Sequence, residues 1–552
     1  MMKRFFLNST KLLLVMVAVI SMPSCNDDSD DGGEVNEETV LIDDLLKNVD
    51  SSCKVTASGD GNVLDDYRKI IEDLSGSNDE EDLEELEFYK QRLAEHEAYC
   101  NHKSDSIKEA NPELYQHLLD SLKSLDPANS LIAGIGQIIG NYCWATLTYP
   151  DVGADGKTRQ MSTLVLFPCN PSYPFCADHV ILGTHWTCTS DDERPSNFSN
   201  AKGLSYKTDN SNVMAGEYVA FSNYLVIMPD YEGYGASNNV SHPYLMREVQ
   251  ARQSIMSLLK GIGWFTSNKD LWSGKGLDKY SLKKNYKIVF EGYSQGGAVA
   301  AATYRYYLEH KNDAWAKNLP IIGAVCGDGP YDPFATLKYY CKTNYVDLPV
   351  APALMLKGMC DYDPEMKAAK CTPADFCNPA FVKSGIFDAI ASKKYNTDQC
   401  SEFAYKYAKE HPNEMKLLDN GGLSADQILT PATYNYFLNG KLIKGADYQK
   451  LSLLKKCLEK NSLFYNFTPP SDAHFMFFHS EGDKVVPCDN YTSVKNAWGK
   501  SKIYGVIYNG ENNDKHHEVG SIFFKHFHNL MVYVIMANKW KPTEFKTDKE
   551  FK

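Results

Sequence analysis

The chain has 552 residues, 43% hydrophobic and 12% aromatic, and a formal net charge of −14 at pH 7. That length accommodates a large core with additions, beyond a single small domain. The acidic balance excludes nucleic acid as the expected partner, because phosphate binding needs a basic face.

The first residues have the order of a secretory signal. Lys3 and Arg4 precede an apolar run, LLLVMVAVI at 12–20, shorter than the roughly 20 residues a bilayer span needs. Ser21-Met-Pro-Ser-Cys25 follows. A cysteine at this place resembles a bacterial lipobox, although Met22 and Pro23 are unusual in it, and the resemblance implies a lipid-bearing Cys25 at the start of the mature chain. The acidic stretch NDDSDD at 26–31 resembles the tag that directs Bacteroidota lipoproteins to the cell surface. Residues 1–25 are thus expected to be a lipoprotein signal peptide and 26–42 an acidic flexible tether. The implied address is an exported lipoprotein on the outer membrane or cell surface, with a periplasm-facing placement the alternative, its membrane contact made through the lipid.

Apart from Cys25, 14 of the 15 cysteines remain, an even number suited to an oxidising compartment. Cys169 with Cys176, and Cys371 with Cys377, could each close a short loop. No CxxC pair supports a zinc site.

Spacings of three and four among charges predict a helical extension over 43–130, clearest in DLEELEFYKQRL at 82–93. From there β-rich apolar runs alternate with helical stretches. The runs are 161–167, 179–184, 224–228, 287–290, 320–325, 474–478 and 503–508, and helices are expected at 254–265, 298–310 and 521–540. Such a pattern predicts an α/β fold with a mostly parallel central sheet covered on both faces. Between 339 and 472 the strand rhythm stops. A helical insertion there would divide the core into 131–338 and 473–552.

The chemistry centres on FEGYSQGGA at 290–298. Gly292-Tyr-Ser294-Gln-Gly296 fits G-x-S-x-G, a weak signal alone, but a strand precedes it and an alanine-rich helix follows, the context of a nucleophile elbow. The helix N-terminus directs amides at the site, and the Gln295 N–H is placed to meet an oxyanion. A serine hydroxyl needs a base, and the base an orienting acid. In folds with this elbow the chain order is Ser, acid, His. Asp483 in HSEGDKVVP (479–487) follows a strand end, and NGENNDKHHE (509–518) supplies the base as His516 or His517. Other readings carry less weight. Asp514, His516, His517 and Glu518 specify no second group for a metal site, and Asp230 with Glu232 fixes no carboxylate across a cleft.

These segments together resemble the α/β-hydrolase superfamily, specifically serine esterases of the exported Bacteroidota kind distantly similar to secretory lipases. The resemblance covers about residues 140–340 and 470–545. GYSQGG resembles the elbow and HSEGDKVVP the acid loop. VIMPDYEGYGAS (226–237) resembles the segment after the fourth strand, and THWTCTSDDERPS (184–196) the oxyanion loop. The resemblance implies that the N–H of Trp186 or Thr187 is the second oxyanion donor. It also favours His516 as base, because Phe523 and Phe524 stand seven and eight residues later, with His517 the alternative. The implied activity is hydrolysis of extracellular esters (acylated glycans, phenolic esters or lipids) by Ser294, His516 and Asp483, with no cofactor and no metal. A serine peptidase on the same fold, or a non-catalytic surface binding protein, are the alternatives.

Overall fold

The computed structural model describes residues 53–78, 80–110, 112, 116, 140–168, 175–198, 219, 222–267, 280–440, 447–539 and 541–548. The signal segment, the acidic tether and Cys25 lie outside the described residues, as does Cys169 of the first expected cysteine loop.

The described residues form twelve strands: β1 (Lys54–Asn62), β2 (Asn141–Val152), β3 (Thr158–Pro168), β4 (Phe175–Ala177), β5 (His179–Thr184), β6 (Tyr224–Pro229), β7 (Tyr280–Leu282), β8 (Ile288–Tyr293), β9 (Ile321–Gly327), β10 (Phe475–Ser480), β11 (Ile503–Tyr508) and β12 (Thr543–Thr547). Ten make one sheet in the order β1-β2-β3-β6-β5-β8-β9-β10-β11-β12, while β4 and β7 pair separately. From β6 to β12 the strands are parallel. The β1, β2 and β3 edge is antiparallel.

Parallel strands need crossovers, so helices cover both faces. The helices are α1 (Val63–Leu74), α2 (Glu80–Ala110), α3 (Arg247–Ser267), α4 (Gln295–His310), α5 (Pro333–Thr343), α6 (Val350–Tyr362), α7 (Thr397–Glu410), α8 (Pro431–Asn439), α9 (Tyr448–Asn461), α10 (Asp489–Trp498), α11 (His516–Ile522) and α12 (His528–Met536), with shorter helical turns between some of them. The alternation of strand side chains assigns the faces. In β10, Phe475 and Phe477 join the core beneath α3, α4 and α10. Met476 and Phe478 join the opposite core with Phe523, Phe527 and the α1 residues Leu64 and Ile70.

Between β9 and β10 the chain builds α5 to α9 around a core of its own, including Leu356, Met359, Phe381, Ile386 and Leu454. This helical region begins at Pro333, a few residues before the expected 339. Asp332 caps it by accepting from the Ala335 amide at 3.2 Å, with proline in the first turn.

Three expectations differ from the structure. The N-terminal extension opens with a strand, β1, rather than a helix. Its side chains alternate between exposed and half-buried, and Gly59 and Gly61 admit the rings of Trp144 and Tyr142 on β2, which would lie 2.7 and 2.5 Å from an added Cβ. Strands β2 and β12 also extend the sheet beyond the runs predicted. Cys371 and Cys377 do not close a loop; both are thiols in the helical region. Their burial in apolar packing raises both thiol pKa values, that of Cys371 opposed by Lys450. Cys143 on β2 is disulfide-bonded.

The register brings the C-terminal ends of the central strands to one edge. Thr184 pairs with Gly292, Tyr293 with Gly327, Gly327 with Phe478, and Ser480 with Tyr508. The segments that follow these ends therefore converge. The turn after β8 is the tightest. A Cβ on Gly296 would sit 2.0 Å from the Thr184 carbonyl oxygen and 2.8 Å from that of His185. Gly296→Ala should therefore lower the unfolding free energy by more than about 2 kcal/mol in urea titrations. Gly76→Ala, where an added methyl meets nothing within 4 Å, should stay within about 0.5 kcal/mol.

Candidate active site

Ser294 caps α4 directly after β8, with φ 58° and ψ −126°. A non-glycine residue in this region is strained and persists only where its surroundings hold it. Here the Ser294 amide donates to the Gly327 carbonyl at 2.9 Å. Glycines at 292, 296 and 297 let backbone segments approach where side chains would collide. The hydroxyl is thereby presented at the mouth of α4.

The base loop arrives from β11. His516 is the first residue of α11 and is buried, whereas His517 is exposed. His516 Nε2 lies 2.8 Å from Ser294 Oγ, and His516 Nδ1 lies 2.5 Å from Asp483 Oδ2. The other carboxylate oxygen of Asp483 accepts the amides of Val485 and Val486 at 2.8 and 2.9 Å. One oxygen is thus fixed by the backbone and the other faces the imidazole. In the tautomer this geometry requires, Nδ1–H donates to Asp483 and Nε2 accepts from Ser294. The structure brings Ser294, Asp483 and His516 together and leaves His517 at the rim.

The acid and base loops hold each other. Ser480 Oγ donates to the Asn513 carbonyl, Lys484 pairs with Asp514 at 2.6 Å, and Gly482 lies against Asn513 where a Cβ would be 2.1 Å from its side chain. The Tyr293 hydroxyl donates to the His516 carbonyl at 2.7 Å.

The loop after β5 is held from behind. The His185 carbonyl accepts from Tyr231 Oη at 3.0 Å, the Trp186 carbonyl accepts from His185 Nδ1 at 2.6 Å, and the Cys188 carbonyl accepts from Tyr234 Oη at 2.5 Å. In a trans peptide the N–H points opposite its C=O. Anchoring the carbonyls of 185 and 186 therefore turns the amides of Trp186 and Thr187 away from those anchors. Both residues line the same cavity as Ser294 and His516.

Gln295 is fully buried, and its side-chain amide donates to His242 Nε2 at 2.7 Å. His242 Nδ1 in turn donates to the Glu232 carbonyl at 2.8 Å. This pair of contacts suits a neutral ring. Burial depresses the His242 pKa to about 3, despite its bonds to Glu232 and Gln295. Burial likewise lowers His185 and His479 to about 4 each.

Several of these residues gave no functional signal in the sequence. Asp328 follows β9, is fully buried, and accepts the Ser480 amide at 2.7 Å. Burial, with the Asp483 charge nearby, holds its carboxyl well above the usual range. A carboxylate directly after a parallel strand was its available signal. Glu291, just before the elbow, contacts His528 of α12 in a buried pair. Asp230 and Glu232 serve structure: Asp230 accepts from Ser162 and the Ser196 amide, and Glu232 pairs with Arg159. Among the described residues, no three His, Cys, Asp or Glu side chains group so as to hold a metal ion.

The depressed histidines give a pH signature. Their folded pKa values lie below the ordinary 6.5, so the unfolded chain binds more protons as pH falls below 6.5, and stability drops until the folded pKa is reached. For His242 the window runs from 6.5 to about 3, and at pH 5 its share is about 2 kcal/mol. His242→Gln should therefore shrink the loss of unfolding free energy between pH 7 and pH 5 by about that amount, whatever its effect at pH 7. Urea titrations at both pH values measure it.

The fold has parallels among solved structures. The rice cell wall degrading esterase LipA from Xanthomonas oryzae is 18% identical, with a TM-score of 0.50 over 75% of this chain and 93% of that one. A Legionella pneumophila protein is 17% identical, with a TM-score of 0.52 over 73% of this chain and 90% of its own. No family model matches the sequence, and no curated protein matches it. At such identities the likeness is one of fold: the mostly parallel sheet between helical layers is an α/β-hydrolase fold.

Proposed function

We propose that this protein is a serine hydrolase that cleaves carboxylic esters through an acyl-enzyme. One observation carries the reading: buried His516 bridges Ser294 Oγ at 2.8 Å and Asp483 Oδ2 at 2.5 Å. Ser294 Oγ attacks the ester carbonyl while its proton passes to His516 Nε2. Asp483 keeps Nδ1 protonated and stabilises the imidazolium. The amides of Gln295 and of Trp186 or Thr187 receive the oxyanion, a contribution of about 2.7–4 kcal/mol per donor to the barrier. As the carbonyl re-forms, the C–O bond to the alcohol breaks and His516 returns its proton to the departing oxygen. Water then adds to the acyl-enzyme by the same proton route and releases the acid.

The helical region between β9 and β10 acts as a cap over the serine, since α5 and α6 contribute cavity-lining residues such as Thr336, Tyr340 and Met355. The N-terminal segment ending in Cys25 supports export as a lipid-anchored protein facing the outside of the cell. Extracellular acylated glycans, phenolic esters or lipids are then the available substrates. A fold neighbour described as a cell wall degrading esterase is consistent with that class.

Labelling with a fluorophosphonate probe tests the reading. Wild-type protein starting after Cys25 should label, Ser294→Ala should not, and His516→Ala should lose about 10²–10⁴-fold in rate, while His517→Ala still labels. Folded wild type that stays silent even with the probe's access opened by cap deletion would sink the proposal and favour a binding protein.

Asp483→Asn should leave the fold intact yet reduce kcat on p-nitrophenyl esters by about 10⁴-fold, the effect expected when the imidazole is held in the wrong tautomer. Steady-state kinetics with a thermal melt in parallel separates this from unfolding.

A further inference from the structure

Behind the elbow helix lies a second, much smaller space. A cavity of about 20 Å³ is bordered by Ala298 and Val299 of α4 and by Arg247 and Gln250 in the first turn of α3. Tyr331, between β9 and α5, borders another side. Leu245 and Pro330 border it too, and both also line the chamber of about 410 Å³ that opens onto Ser294 and His516. The two spaces therefore share a wall. The smaller one has room for a single occupant the size of a water molecule or a little larger, which excludes phosphate, sulfate and organic anions.

Its lining carries a surplus of donors. Arg247 is half-buried, and its Nε and Nη1 meet no hydrogen-bond partner. Gln250 is 1% exposed and Tyr331 2% exposed, and neither Gln250 Nε2 nor Tyr331 Oη meets one. Other groups hold these residues in place. The Arg247 amide donates to Asn461 Oδ1 at 3.0 Å, and the Tyr331 carbonyl accepts the Leu463 amide at 2.8 Å. Burial pushes the Tyr331 hydroxyl well above its ordinary pKa, so it keeps its hydrogen.

The charge of this corner is positive. A guanidinium stays protonated in proteins. Burial, with Arg305 nearby, nevertheless lowers Arg247 to about 10, against the pull of Glu309 and Glu248. Glu309 is already engaged by Arg305, at 2.8 and 3.1 Å, and Glu248 is exposed. Among the described residues no carboxylate lines the cavity. The N-terminal end of α3, a helix of 21 residues, adds its own partial positive charge.

We propose that this cavity is a halide site, in which Arg247, Gln250 and Tyr331 donate to a single chloride or bromide ion. A water molecule fits the donors less well. It must place two hydrogens of its own, and the buried unpaired side-chain atoms around it are three nitrogens and one hydroxyl. A halide accepts from all of them and offsets the buried guanidinium. The ion joins α3 to the segment after β9 and to the back of α4, and so stiffens the wall shared with the larger chamber.

Protein starting after Cys25, exchanged into sodium gluconate, tests this by two readings. Crystals soaked in sodium bromide should show an anomalous bromine peak within hydrogen-bond reach of Arg247, Gln250 and Tyr331. In thermal melts, replacing about 100 mM gluconate by chloride or bromide should raise Tm by about 2 °C or more. Gln250→Glu brings the guanidinium an anion of the chain's own, so it should lose the halide response and melt in gluconate at least as high as wild type. Arg247→Gln should lose the response at a lower Tm. Tyr331→Phe, which deletes one donor and keeps the ring, should weaken it. Arg252→Gln, on the same helix but paired with Asp151 at 2.7 Å, should keep it.

A water in place of the bromine peak overturns the proposal. So does a peak with no rise in Tm, which is an adventitious ion only. A rise that Gln250→Glu and Tyr331→Phe keep in full is a general salt effect and overturns it as well. Should Arg247→Gln fail to fold, the wild-type readings and the other two variants still decide.

Discussion

The site depends on a single strained turn. Ser294 holds a left-handed φ of 58° because β8 must reverse into α4 with no room for side chains on either flank. Three glycines supply that room against two neighbours: Gly292 and Gly296 the Thr184 backbone at the end of β5, Gly297 the Gly327 backbone at the end of β9. The strain at one residue is thus held by the two strands on either side of β8. The same close approaches place the β5 loop and the β9 end against the serine, so the turn both presents the hydroxyl and sets the distances of its surroundings.

Behind that turn lies a buried polar layer in which neutral groups hold backbone in place. His242 links Gln295 to the Glu232 carbonyl, His185 holds the Trp186 carbonyl, and Tyr231 and Tyr234 hold two further carbonyls of the same loop. Burying imidazoles without carboxylate partners keeps them uncharged near neutrality, which is what lets His242 donate at one nitrogen and accept at the other. Asp328 follows similar logic on the acid side. A second ionised carboxylate beside Asp483 would be costly, and burial with the Asp483 charge pushes Asp328 towards its neutral form.

What the sequence made legible was local chemistry at strand ends. GYSQGG could be read because steric demands at an elbow fall on consecutive residues. HSEGD and the His516-His517 stretch could be read because the chain order and the preceding apolar strands located them. The choice between the two histidines rested on aromatics seven and eight residues on. In the structure Phe523 packs against Tyr293, centroids 5.6 Å apart, and so ties α11 to the elbow. Long-range partnerships were not legible. Strand β1 has the alternation of an edge strand, but its charged and glycine-rich composition hides it until Trp144 and Tyr142 are seen lying over its glycines. The roles of His242 and Asp328 depend on contacts across 53 and 152 residues, which no spacing rule encodes.

The chamber brings these two kinds of information together. Its reactive end comes from residues adjacent to strand termini, where the fold itself dictates position. Its walls come from α2, the β5 loop and the helices between β9 and β10, elements free to vary without disturbing the sheet. The lining joins Tyr340 and Met355 from α5 and α6, Val485 and Val486 from the loop after β10, and Phe88 and Tyr89 from α2. A substitution on α2 or in the helices between β9 and β10 can therefore reshape the chamber while the distances among Ser294, Asp483 and His516 stay set by the sheet.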